Sequence, residues 1–83
     1  MTNKLNIGDF FSTTDLGVAT VVSLYFPLHT IDKDNPRHAI FLFEKNPELS
    51  KLVEQLWQKK LLIEPLDLLG QLKMVKTRLY QEK

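Results

Sequence analysis

Three groups of side chains in this sequence are of types that do chemistry. His29 and His38 flank the polar stretch Asp32-Lys33-Asp34-Asn35-Pro36-Arg37. Imidazoles beside carboxylates raise the question of a metal site or an acid/base pair. Lys73, Lys76 and Tyr80 fall at i, i+3 and i+7, with Arg78 and Lys83 close by. On a helix that spacing gives a basic strip with one aromatic, a surface able to hold phosphates by charge and to stack a base. Ser12, Thr13 and Thr14 supply hydroxyls, and Glu44, Glu48 and Glu54 supply carboxylates.

Each group also has a plainer reading. If Asp32 pairs with Arg37 across a hairpin, Ile31 faces His38 and His29 faces Ile40. The histidines then lie diagonally on one sheet face, about 7–8 Å apart. Zinc needs three or four converging ligands with their own hydrogen-bond support, and only two candidates here have even a hypothetical geometry. The run Asp32 to Asn35 lacks the glycine and distal glutamate of a calcium loop, so it reads as a turn. The three hydroxyls suit helix capping better than nucleophilic attack, and no two glutamates are placed as a couple. The basic strip could equally be a solvated helix end whose cations complement the helix dipole. No catalytic, metal-binding or cofactor-binding residue is assigned. Lys73, Lys76, Arg78 and Tyr80 stand as the candidate nucleic-acid or partner surface.

The elements that would position these groups follow from periodicity and punctuation. Residues 1–9 read as a flexible or extended lead-in, with a turn signal at Gly8-Asp9. Residues 10–83 read as a single α+β domain. Ser12-Thr13-Thr14-Asp15 matches a helix-start pattern and predicts a helix from Leu16 to before Pro27, although Val18, Thr20, Val21 and Val22 are β-branched. Leu28–Ile31 and His38–Glu44 predict two strands of a hairpin joined by about six residues, the second buried on both faces. Asn46-Pro47-Glu48 is a strong helix start. Leu49, Leu52, Val53, Leu56 and Trp57 then repeat at helical spacing, which puts Trp57 in the core. Leu61-Leu62-Ile63 reads as a third strand or an extended connector. Pro65 opens a last helix whose buried stripe is Leu68, Leu72, Val75 and Leu79. Gly70 either weakens that helix or admits a close neighbour.

The expected order is helix, β-hairpin, helix, short extended piece, helix, with the helices packed on a small antiparallel sheet. Two strands alone are marginal in water, so Phe10-Phe11, Leu61–Ile63 or a second copy must complete the sheet.

Composition narrows function further. The chain has 83 residues, 43% hydrophobic and 25% charged, with a net charge of +1. That is ordinary globular composition for one domain, and the near-neutral charge makes no general demand for nucleic acid or acidic membrane. There are no cysteines, which removes disulfides and thiolate chemistry and points to a reducing, cytoplasmic setting. No signal peptide and no membrane span are expected. The phosphate-loop, dinucleotide, zinc-protease and nucleophile-elbow motifs are missing, and three glycines leave little for a phosphate cradle. A thin core is expected to leave little room for a closed substrate pocket.

Several pieces together carry a resemblance: Phe11-Ser12-Thr13-Thr14-Asp15-Leu16, Phe26-Pro27-Leu28, Phe41-Leu42-Phe43-Glu44, Pro47-Glu48-Leu49 with Leu52-Val53 and Trp57, Glu64-Pro65, and Leu72-Lys73 with Arg78-Leu79-Tyr80. From about Phe10 to Tyr80 the chain resembles a domain-of-unknown-function family of small proteins from bacteria, uncultivated lineages and phages. The resemblance supports the order of elements and a phage or mobile-element context. It carries over no activity and no catalytic residue. By elimination, the sequence favours a non-enzymatic protein–protein interaction or accessory module, self-association included. A small nucleic-acid-associated protein using the last helix is the alternative, and an enzyme a distant third. No cofactor, membrane partner or small-molecule substrate is implied.

Overall fold

The computed structural model describes residues 10–34 and 38–81. The expected lead-in at residues 1–9, the Asn35-Pro36-Arg37 part of the hairpin loop, and Lys83 lie outside the described residues. Strand β1 (Phe10–Thr13) is followed by helix α1 (Leu16–Ser23). Strands β2 (Thr30–Asp32) and β3 (Ile40–Glu44) come next, then helices α2 (Pro47–Trp57) and α3 (Pro65–Gln81). Among the described residues this is the α+β fold expected, with three helices and a three-stranded antiparallel sheet.

The sheet order is β1-β3-β2. Phe10-Phe11 therefore lies in the strand that completes the hairpin, while Leu61–Ile63 is an extended connector outside the sheet. Phe41, Leu42 and Phe43 of the central strand β3 are all buried, Phe41 and Phe43 on the side packed into the core cluster and Leu42 on the other. Phe11 faces Phe43 and Ile31 faces Phe41, and these residues share the side of the sheet that meets the helices. Burial of a side chain such as Phe43 or Leu49 stabilises by about 1.5–3 kcal/mol.

The hairpin register departs from the expected one. Asp32 faces Ile40 and Ile31 faces Phe41, a slip of three residues. An odd slip turns every side chain to the opposite face, and here it matches apolar Ile31 with apolar Phe41 instead of with His38. The loop is correspondingly longer. Its first turn is set by Asp32, whose Oδ1 accepts from the Asp34 amide at 2.9 Å.

Helix α1 begins at Leu16 as expected, but its capping residue and its end differ. Its cap is Asp15, whose Oδ1 accepts from the Val18 amide at 3.2 Å. The Thr13 hydroxyl instead accepts from the Asp15 amide at 3.0 Å, and Ser12 and Thr13 stay in β1. The helix stops at Ser23, short of Pro27, in a turn where the Tyr25 and Phe26 amides both reach the Val22 carbonyl. Five consecutive residues, Val18 to Val22, are buried, so α1 is enclosed on most sides. Thr20 is tolerated there because its hydroxyl donates to the Leu16 carbonyl at 2.8 Å.

Helices α2 and α3 begin as expected. Asn46 Oδ1 accepts from the Leu49 amide at 2.8 Å, with Pro47 in the first turn. Glu64 Oε1 accepts from the Asp67 amide at 2.8 Å ahead of α3. Helix α3 packs along α1, where the Gln71 amide donates to the Ser23 hydroxyl at 3.0 Å. A Cβ built on Gly70 would meet nothing within 4 Å, so Gly70 admits no close neighbour.

Candidate functional site

Alpha-helix periodicity explains why the end of α2 leaves the core. Leu49 and Leu52 are buried and Val53 and Leu56 half-buried. At 100° per residue, Trp57 is rotated about 80° from Leu49. That places it at the margin of the buried stripe, and it is 67% exposed rather than in the core, as its spacing had implied. The chain then reverses at Lys59. The Lys59 amide donates to the Leu56 carbonyl at 3.1 Å and the Lys60 amide to the Gln55 carbonyl at 3.0 Å. This paired closure requires a left-handed residue, normally glycine, and Lys59 holds it at φ 61°.

Trp57, Lys59, the start of α3 and the exposed edge of α1 bound an open groove of about 440 Å³. Val18, Val21, Leu56, Leu68 and Leu72 line its deeper parts. Exposed Trp57, Leu69, Asp15 and Lys59 form its margin. The volume falls within the range of small-molecule sites, more than the thin core implied. Its polar side chains are few, however. The Thr20 hydroxyl and Asp15 Oδ1 are both engaged within α1. The exposed apolar surface runs on past the groove. Leu66 lies one helical turn before Leu69 on the same face of α3, and Leu62 lies in the connector leading to it. Both are largely exposed, Leu66 at 74% and Leu62 at 91%.

The sequence-predicted surface is divided. Lys73, Lys76 and Tyr80 are exposed on α3. Arg78 is turned elsewhere. Its guanidinium donates to the Leu28 carbonyl at 2.8 Å and to the His29 carbonyl at 3.1 Å, tying α3 to the approach to β2. Lys33 adds a second tie, its ammonium donating to the Leu79 carbonyl. On the helical wheel Arg78 is about 140° from Lys73, whereas Leu66, Leu69, Lys73, Lys76 and Tyr80 share one face at heptad-like spacing. The surface therefore joins an apolar half to a basic half.

The histidines are not brought together as the expected register implied. His38 precedes Ile40 at the loop end of the hairpin, whereas His29 precedes Thr30 at the other end. The His29 ring rests against Phe10, centroids 4.9 Å apart. It also borders a second cleft of about 290 Å³ with Glu44 and Asn46. Among the described residues, no three His, Asp or Glu side chains converge as metal ligands. No described helix is long and apolar enough to cross a membrane.

The apolar groove was missed in the sequence because α3 carries two leucine patterns. Leu68, Leu72, Val75 and Leu79 were enough to account for a buried stripe. Leu62, Leu66 and Leu69, at spacings of four and three, were the available signal for a second apolar face.

The described residues define a small α+β fold with three helices, a three-stranded sheet and an apolar groove beside α3. Residues 8–81 match the family described as Domain of unknown function (DUF5659), and the chain belongs to it. No curated protein and no solved structure matches the chain.

Proposed function

We propose that this protein is a non-enzymatic interaction module whose contact surface is the apolar groove bounded by Trp57, Leu69 and Lys59. The observation that carries this reading is the exposure of Trp57 and Leu69 at the margin of one concavity, with exposed Leu66 one helical turn before Leu69 on α3 and exposed Leu62 in the connector leading to it. A soluble domain seldom leaves that much apolar surface contiguous unless something covers it. Tryptophan at the margin of a groove is also a common energetic anchor of protein contacts. The cysteine-free composition supports a cytoplasmic setting.

The test is affinity capture from the native host with the wild-type chain and a Leu69→Glu variant. Proteins retained by the wild type and lost from the variant support the reading. Identical capture by both contradicts it.

A second reading rests on a different observation, the shared exposure of Lys73, Lys76 and Tyr80. Those side chains could contact a nucleic-acid backbone and stack one base. Gel-shift binding that falls steeply with salt and disappears in a Lys73→Ala/Lys76→Ala double variant would support it. No binding at about 50 mM salt, where phosphate contacts are strongest, would remove it.

A further inference from the structure

We infer that the occupant of the groove is a second copy of this chain, in a two-fold contact. The inference rests on the interaction reading above and names its partner. Three observations converge on it.

The first is area. Leu62, Leu66, Leu69 and Trp57, between 57% and 91% exposed, leave on the order of 600 Å² of residue surface, main chain included, in water. That reaches the upper end of the roughly 300–600 Å² found for the largest apolar patch on a monomer. It also approaches the roughly 800 Å² that each partner contributes to a standard interface.

The second is shape. A two-fold contact uses the same patch twice, so the patch must fit itself. This one contains both parts. The groove is a concavity lined by Val18, Val21 and Leu72. Leu66, one helical turn before the groove's Leu69, and Leu62, in the connector to α3, are largely exposed side chains that meet little of their own chain. Leu66 of each copy entering the groove of the other fills both concavities at once.

The third is charge. Asp15 and Lys59 line the same groove and carry opposite signs. Two-fold symmetry repeats each cross-contact, so an Asp15–Lys59 pair between copies occurs twice. A formal net charge of +1 leaves little general repulsion between copies. Lys59 also occupies a left-handed position that glycine would fill with less strain. A strained lysine at the margin of the groove fits a role that needs its cation.

The test is size-exclusion chromatography with light scattering, from about 1 to 100 μM, a range that brackets moderate affinities. The wild type is expected to pass from monomer to dimer mass as concentration rises. Leu66→Glu is expected to raise the dissociation constant at least about tenfold, as loss of a buried anchor does. Leu62→Gln, at the most exposed of these positions, provides a milder variant that cannot disturb the core. Circular dichroism confirms that both are folded. A monomer throughout the range overturns the inference, and so does a dimer that neither variant weakens. A strictly monomeric chain whose captured proteins still depend on Leu69 retires the second copy and leaves the interaction reading intact. A monomer whose capture is indifferent to Leu69→Glu retires both.

Discussion

Replacing Arg78 with alanine separates a structural cation from a surface one. The Arg78 guanidinium makes two hydrogen bonds to main-chain carbonyls, at 2.8 Å to Leu28 and 3.1 Å to His29. They join residues about fifty positions apart in sequence and hold α3 against the segment entering β2. A hydrogen bond from a charged donor contributes about 1.5–3 kcal/mol when partly buried, and the first of these is partly buried. The second reaches a more exposed carbonyl and adds less. Arg78→Ala should therefore cost about 1.5–3 kcal/mol. For a domain of this size about 1 kcal/mol moves Tm by roughly 4–8 °C, so Tm should fall by at least about 6 °C. Lys73→Ala and Lys76→Ala, at exposed positions of the same helix, should stay within about 0.5 kcal/mol of wild type. Thermal and urea denaturation of the three variants, followed by circular dichroism, measures all of this. An Arg78→Ala protein that melts with the wild type would refute the structural role and return Arg78 to the basic strip. Arg78→Lys should recover only part of the loss, because an ammonium cannot span two carbonyls as the planar fork does.

Lys59→Gly should stabilise the monomeric fold by about 1 kcal/mol, since glycine adopts the left-handed closure of α2 with little strain. Urea midpoints measured at low concentration check this, and the same variant should associate more weakly. Gly70→Ala should add about 1 kcal/mol of helix stability, because a Cβ there meets nothing within 4 Å. A drop in Tm would reveal a close neighbour the geometry does not contain. Trp57→Ala should cost the isolated fold less than about 1 kcal/mol, far below the roughly 3–5 kcal/mol of a core tryptophan, because most of the side chain is already in water. A loss in the core range would place Trp57 back inside.

Local signals with a specific physical cause were legible in the sequence. Asn46-Pro47 set the start of α2, and Pro65 the start of α3. The double-sided apolar run Phe41-Leu42-Phe43 implied burial on both faces, and all three residues are buried. What escaped sequence reasoning depended on distant parts of the chain. The register of β2 against β3 was guessed from loop residues, but Ile31 is matched to Phe41 by the shared core. Ser12 and Thr13 had two uses, capping and strand, and pairing with Leu42 and Phe41 decided for strand. Trp57 sat on a correct apolar stripe, yet a stripe says nothing of where its covering elements end. Arg78 read as part of a basic cluster from nearness in sequence, although five residues at about 100° each already set it about 140° from Lys73; its carbonyl partners at Leu28 and His29 come only from the tertiary packing. The candidate groove was the least legible feature, since it belongs to three helices at once and is assembled only by their packing.

Trp57 is the chain's single tryptophan, which makes its fluorescence the most direct probe of the central claim that this groove is a covered interface. Quenching of that fluorescence by acrylamide, measured across a concentration series, reports how much of the indole water reaches. The account predicts ready quenching at low concentration, falling as copies associate and cover the groove, with no such fall in Leu66→Glu. Equal quenching at every concentration, or the same fall in both proteins, would contradict it.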